Sequence, residues 1–270
     1  MTNKTIDGIP DINIHKTAIV DPQVTLSAGV TIGPYAVIQG KVAIGANVSV
    51  GSHCMITGNT TIGRGCQFYT GAVIGSAPQD KKYSGDENVV LIIGENNVFR
   101  EYVTVNTGTA DGGAETVIGN NNLFMAYSHV AHDCLVGNDC VMANLGTLAG
   151  HVTVEDRVVV GGLSGVHQFV RIGKYAIIGG CSKVVQDVPP YAMCDGNPAK
   201  IFGINSIGLR RANFPTEKAN LLRKAYKILF HSNLNRTTAI ERVQQEMESS
   251  PELDYLLAFI QNAKRGVLNG

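Results

Sequence analysis

The sequence predicts an all-β protein with a helical appendage: a parallel β-helix of hexapeptide repeats over residues 1–190, then an α-helical domain over residues 191–270. Three observations carry that prediction. From Val130 to Val184 an aliphatic residue recurs at every sixth position, through Val136, Met142, Leu148, Val154, Val160, Val166, Ile172 and Ile178. A column of small residues follows four positions later and includes Cys134, Cys140, Gly146, Ser164, Ala176 and Ser182. Beyond Phe214 the period changes to that of amphipathic helices. Six-residue repeats mark a parallel β-helix. Each hexapeptide supplies a short strand and a turn, and three of them close a triangular coil. The aliphatic residue points inward and stacks on its counterparts in neighbouring coils, away from water. Turns rich in Gly, Asn and Asp suit the positive φ angles of sharp corners.

Taken in order, the repeat starts at Ile14 and keeps its register through Ile32, Val50 and Phe68 to Ile74. His15 and His53, within this block, read as solvated turn residues. SAPQDKKYSGDENVV then breaks the pattern. A stretch this polar must leave the prism, because its backbone would lack partners inside. It is expected as an excursion loop near 76–90, with Gln79, Asp80 and Lys82 as candidate substrate contacts. A short run at Ile93, Phe99 and Val105 precedes a second interruption, NTGTADGGAET, expected as a loop near 106–116. Solenoids use such insertions for binding. Pro189 and Pro190 end the coils. Three helical stripes follow, led by Leu222 and Ala225, by Ile240 and Val243, and by Leu253, Leu256 and Leu257. Ser250 is the expected N-cap of the third, with Pro251 in its first turn. These helices are expected to cover the prism end.

Zero formal net charge and the lack of a long basic run argue against a nucleic-acid binder. No apolar run is long enough to span a bilayer, and the opening MTNKTIDGIP lacks a leader's apolar core, so a cytoplasmic protein is expected. Cys54, Cys66, Cys134 and Cys140 fall in the small column and read as core. Without a C-x-x-C pair neither a zinc ribbon nor a dithiol site is expected.

The histidines carry the chemistry. One coil beyond His132 is Gly150, with His151 beside it; two coils beyond is Gln168, with His167 beside it. His129 and Asp133 flank the first. Three readings fit such a column. The imidazoles can bond locally at a corner. They can offer zinc three nitrogens, as in hexapeptide proteins with carbonic anhydrase activity. Or a neutral imidazole, oriented by Asp133, can take a proton from a hydroxyl while the Gly150 N–H stabilises an acyl oxyanion. Geometry of the repeat alone leaves zinc and base open.

The motifs AYSHVAHDC at 126–134, LAGHVTV at 148–154, VHQF at 166–169, VVQDVPPY at 184–191 and PQDKKYSG at 78–85 resemble the UDP-N-acetylglucosamine acyltransferase family that opens lipid A biosynthesis. The resemblance covers nearly the whole chain and implies a left-handed helix, a homotrimer with its clefts between subunits, and no metal or cofactor. It implies transfer of a 3-hydroxyacyl chain from acyl carrier protein to the glucosamine 3-hydroxyl of UDP-N-acetylglucosamine. His132 would be the general base, Asp133 its orienting partner and Gly150 the oxyanion donor. His129, His151, His167 and Gln168 would contact the sugar nucleotide or the acyl group, and Gln79, Asp80 and Lys82 the nucleotide substrate. Asn205 and Arg211 match nucleotide-binding positions, and Gly180 matches the position that sets acyl length, where glycine leaves the groove long. Basic side chains of the first helical stripe would meet the acidic carrier protein. The chain departs from the family pattern at Asn106 and Thr107, where H-R-G-T is common, and at Ala212 and Pro198. The first departure keeps a 3-amino sugar as an alternative acceptor. A related N-acyltransferase carries an extra amino-terminal domain, whereas the repeat here starts almost at once.

Overall fold

The structure is a computed structural model describing residues 11–85 and 88–270. The opening stretch, read above for a leader, and residues 86–87 of the first excursion lie outside the described residues.

The six-residue period becomes three parallel sheets, the faces of a prism. Sheet A has eleven strands, the last two from a hairpin beyond the repeats, and starts at Asn13–Ile14; sheet B has nine and starts at Ile19–Val20; sheet C has eight and starts at Thr25–Leu26. Strands of two to four residues pair with those one coil away, as Thr147 with Gly165 and Gly165 with Lys183, eighteen residues apart. The aliphatic column forms the core: Val130, Leu148, Val166 and Val184 are at most 3% exposed. The small column is buried with it, including Cys54, Cys66, Cys134 and Cys140. Burial pushes the Cys134 and Cys140 thiols up to about 12, so they stay protonated packing groups.

Both excursions leave from the edge between sheets B and C. Ile62 pairs with Ile93, 31 positions on, because the first lies between Val73–Ser76 and Val90–Ile93. Ile93 pairs with Ile118, 25 positions on, because the second lies between Thr104–Asn106 and Glu115–Ile118. The register closes over each insertion, so the prism continues beneath two loops stacked one coil apart.

The turns differ from the sequence expectation. At the C–A edge the positive-φ positions run through Gly29, Asn47, Gly65, Asn96, Asn121 and Asp139, as turn chemistry favours, and continue to Arg157 and Tyr175. At the A–B edge they are Tyr35, His53, Gly71, Tyr102, Tyr127, Leu145, Leu163 and Cys181, of which the tyrosines and leucines are exposed. Large apolar side chains are costly there.

Residues 191–270, expected as helical, begin with a hairpin. Ala192–Gly196 pairs parallel with the preceding strand of sheet A, and Ala199–Ile204 returns antiparallel. Helices α1 (Ser206–Arg211), α2 (Thr216–His231), α3 (Arg236–Glu246) and α4 (Pro251–Gln261) follow. The Ser250 side chain caps α4 by accepting from the Leu253 N–H, with Pro251 in its first turn. The appendage docks on the last coil: the Tyr226 hydroxyl donates to the Pro190 carbonyl, Tyr255 donates to Glu155, and Asp187 bonds the backbone of Gly266 and Leu268. Among the described residues no helix is long and apolar enough to cross a membrane.

Candidate active site

The B–C edge that carries the excursions also carries His132, Asp133, Gly150 and His151. His132 and Asp133 follow the sheet B strand His129–Val130, and Gly150 and His151 follow Thr147–Leu148 one coil on. Asp133 and His151 occupy the positive-φ corner position, φ 58° and 63°, which turns both side chains to one edge.

The arrangement is a hydrogen-bonded dyad. His132 Nδ1 lies 2.7 Å from Asp133 Oδ2. An ionised carboxylate only accepts, so Nδ1 carries the proton and Nε2 presents its lone pair. The Asp133 side chain is 1% exposed and fully engaged. Its Oδ1 accepts the Thr109 N–H at 2.9 Å, and Oδ2 also accepts the Thr109 hydroxyl at 2.6 Å. The Asp133 N–H donates to Thr116 Oγ1 at 2.8 Å. Such bonds satisfy a buried charge that would otherwise be costly.

Gly150 lies under the imidazole: a Cβ there would come 2.5 Å from His132 Cε1 and 2.7 Å from Nε2. Its N–H has no hydrogen-bond partner among the described residues. The fold does not ask for one, since prolines Pro22, Pro34 and Pro190 stand at the equivalent coil position elsewhere. A free donor and a basic nitrogen thus lie side by side.

Of the other expected residues, His151 sits edge-on to His132 with ring centroids 5.1 Å apart. Burial lowers its pKa, with the Asp133 charge opposing. Asp80 and Lys82, from the first excursion, line a cleft of about 430 Å³ with Thr109, Gly112, His151 and Phe169. Asp80 also forms the loop's own turn, accepting from the Lys82 N–H at 3.0 Å. Gln79 is exposed beside them. His129 lies on the outer face of sheet B, its Nδ1 2.7 Å from Thr104 Oγ1, and burial lowers its pKa.

The five other expected residues lie outside this cluster, Gln168 being exposed beside His167. His167 is exposed, with Nδ1 3.2 Å from the Gln168 carbonyl, and Phe169 instead stacks on His151 at 4.4 Å. Coil arithmetic fixes height but not direction: His167 directly follows the inward Val166, two residues before the corner position that Phe169 holds. Gly180 is exposed at the A–B edge, stacked on Gly162. Asn205 and Arg211 line a separate cleft of about 780 Å³ on the outer face of sheet A, with Arg157 and Tyr175. Asn205 caps α1 there, accepting from the Gly208 N–H and donating to the Tyr175 carbonyl, both at 2.9 Å. Thr109 and Phe169 were not singled out from sequence; Thr109 lies in an insertion, where the repeat assigns no position.

His132, Asp133 and His151 place ligand-type atoms within 4.8 Å of one another. Zinc does not fit this donor set. Both Asp133 oxygens accept from Thr109, the His132 Nδ1 proton is shared with Oδ2, and His167 is outside the cluster. That leaves His132 Nε2 and one His151 nitrogen as open donors in this cluster, fewer than the three protein ligands of a catalytic zinc site.

Comparisons with known proteins converge. Residues 187–268 match the family model described as UDP N-acetylglucosamine O-acyltransferase, domain 2, and residues 115–150 match the bacterial transferase hexapeptide model. The chain is 50% identical, over 94% of its length and 97% of the relative's, to the acyl-(acyl-carrier-protein) UDP-N-acetylglucosamine O-acyltransferase of Aliarcobacter butzleri. It is 52% identical, over 94% of its length and 98% of the relative's, to that of Alkalilimnicola ehrlichii. The solved structure of LpxA from Acinetobacter baumannii superposes with a TM-score of 0.91 at 42% identity, covering 95% of this chain and 99% of that one.

Proposed function

We propose that this chain, which belongs to the UDP-N-acetylglucosamine O-acyltransferase family, moves a 3-hydroxyacyl group from acyl carrier protein to the glucosamine 3-hydroxyl of UDP-N-acetylglucosamine. The observation that carries the mechanism is the His132–Asp133 bond beside the unpartnered Gly150 N–H. His132 Nε2 takes the proton of the sugar hydroxyl as its oxygen attacks the thioester carbonyl. The Gly150 N–H holds the oxyanion of the tetrahedral intermediate. On collapse the new C–O bond stays, the C–S bond breaks, and the carrier thiolate takes the proton back from Nε2–H. Asp133 stays ionised and stabilises the passing imidazolium.

The substrate contacts follow from placement. Asp80, Lys82 and His151 face one cleft beside the base and suit the sugar nucleotide. Asn205 and Arg211 lie on the face of sheet A, away from His132, so they serve that site across a subunit boundary. Three copies with their A–B edges on a common axis would lay one chain's sheet B beside its neighbour's sheet A. The exposed Tyr127, Leu145 and Leu163 of that edge support a homotrimer on this plan. Gly180, on the same edge, would set acyl length, while Gln168 and His129 would border the acyl path. The carrier protein, working in the cytoplasm, would meet Arg223, Lys224 and Lys227 on α2; Lys218 is already paired with Glu252 at 2.6 Å.

A 3-amino sugar is the second acceptor reading, kept because Asn106 and Thr107 depart from the family pattern at the root of the second excursion. The test is acyl transfer by purified protein from 3-hydroxymyristoyl carrier protein, in chelator, to UDP-N-acetylglucosamine and its 3-amino analogue in parallel. Transfer to the hydroxyl sugar is expected. Transfer to the amino sugar alone would reassign the acceptor, and activity that chelator abolishes would reverse the metal-free mechanism.

A further inference from the structure

We infer that Thr109, on the second excursion, is the positioning residue that turns Asp133 toward His132. The inference rests on the general-base reading above. Asp133 stands at a positive-φ corner with two imidazoles within reach: His132 Nδ1 at 2.7 Å and His151 Nδ1 at 3.8 Å from the same Oδ2. Its own backbone does not choose between them. Thr109 does, because it bonds both oxygens at once, the N–H to Oδ1 at 2.9 Å and the hydroxyl to Oδ2 at 2.6 Å. Two donors on two oxygens fix the rotation of the carboxylate about its own axis.

The rest of the loop holds Thr109 in place. The N–H groups of Gly112 and Ala114 both donate to the Thr109 carbonyl, at 3.0 and 2.9 Å. Gly112 closes over the carboxylate so tightly that a Cβ would come 2.2 Å from Asp133 Cγ. At its root, Asn106 Nδ2 donates to Ser76 Oγ at 2.9 Å and to the Ala77 carbonyl at 3.0 Å, and the Thr107 N–H donates to the Ser76 carbonyl at 3.1 Å. The second excursion is thereby tied to the first, which carries Asp80 and Lys82. Asn106 and Thr107, the departures from the family pattern, are the tie, and the grip on Asp133 lies two residues beyond.

Thr109 has φ −121° and ψ 151°, an extended conformation that valine adopts readily, so Thr109→Val removes the hydroxyl and keeps shape and N–H. The experiment compares wild type, T109V, T109S and H132A by steady-state transfer and by the low-field NMR resonance of the His132 Nδ1 proton. T109V is expected to lose roughly 10–100-fold in kcat with both KM values nearly unchanged, the cost of a misplaced catalytic group. Its low-field resonance should shift or vanish. T109S should recover both the rate and the resonance. Wild-type kcat with an unmoved resonance in T109V would overturn the inference, as would equal losses in T109V and T109S, which indicate packing alone. Should H132A itself retain full transfer, the general-base reading falls instead.

Discussion

Gly150 combines two requirements in one position, and an alanine tests them together. Its Cβ would overlap the His132 ring, at 2.5 Å from Cε1, so the imidazole must move off the line between Asp133 and the substrate. The backbone is not in the left-handed region, so the coil itself accepts alanine. Gly150→Ala should therefore lower kcat by roughly 10²-fold or more, the scale of a displaced catalytic group, with little change in melting temperature. Unchanged kcat in a stable variant would remove Gly150 from the mechanism. His132, Asp133 and Gly150 were legible in sequence because eighteen-residue coils stack residues whose register is known. Thr109 was not, because an insertion has no register. Thr116 is the intermediate case: it stands two residues before Ile118, in the small column, so its burial was readable but its bond to the Asp133 N–H was not.

At the scale of elements, stacked identical neighbours hold the coils together. Phe68, Phe99 and Phe124 lie one above another inside sheet A, with centroids 4.9 and 4.8 Å apart and near-parallel rings. They are 31 and 25 residues apart in sequence, so this stack fixes the prism where both excursions interrupt it. Beside it runs a buried asparagine ladder: Asn97 Oδ1 accepts the Asn122 N–H, and Asn122 Oδ1 accepts the Cys140 N–H. Each amide nitrogen is also satisfied, by Gly119 and Gly137 carbonyls, which makes burial of these polar groups tolerable. Phe99→Ala should lower stability by about 3–5 kcal/mol, read from the denaturant midpoint. A loss below about 1 kcal/mol would mean that the coils close over the gap and the stack is not needed. The strands of the prism and the three longer helices were readable from periodicity and capping, but the hairpin Ala192–Gly196 and Ala199–Ile204 was not. The six-residue α1 was not: it buries only Leu209, too little to show a stripe.

For the whole molecule, the A–B edge is where the proposed trimer would bring copies together. The left-handed corner is filled mostly by Gly, Asn and Asp on the C–A edge, with Arg157 and Tyr175 among the exceptions, and mostly by Tyr and Leu on the A–B edge, beside His53, Gly71 and Cys181. Leu163 is 62% exposed in the single chain, a position where a soluble monomer gains nothing from leucine. Leu163→Arg would gather three charges at the proposed axis without partners. It should give monomers by sedimentation and should abolish transfer, because Asn205 and Arg211 would no longer reach a neighbour's His132. A fully active trimer would refute the proposed packing. The prism and its helical appendage were legible from the repeat, whereas the exposed tyrosines and leucines of the edge proposed to face a neighbour were visible only once the corners could be compared.

The central claim is that the His132–Asp133 dyad performs the proton transfer, and the most direct measurement is the rate of acyl transfer to UDP-N-acetylglucosamine by His132→Ala beside wild type. A fall in kcat of about 10²–10⁴-fold, with the trimer and its melting temperature retained, is the predicted result. Transfer within a few-fold of wild type would contradict it and would leave the dyad as a corner hydrogen bond of the prism.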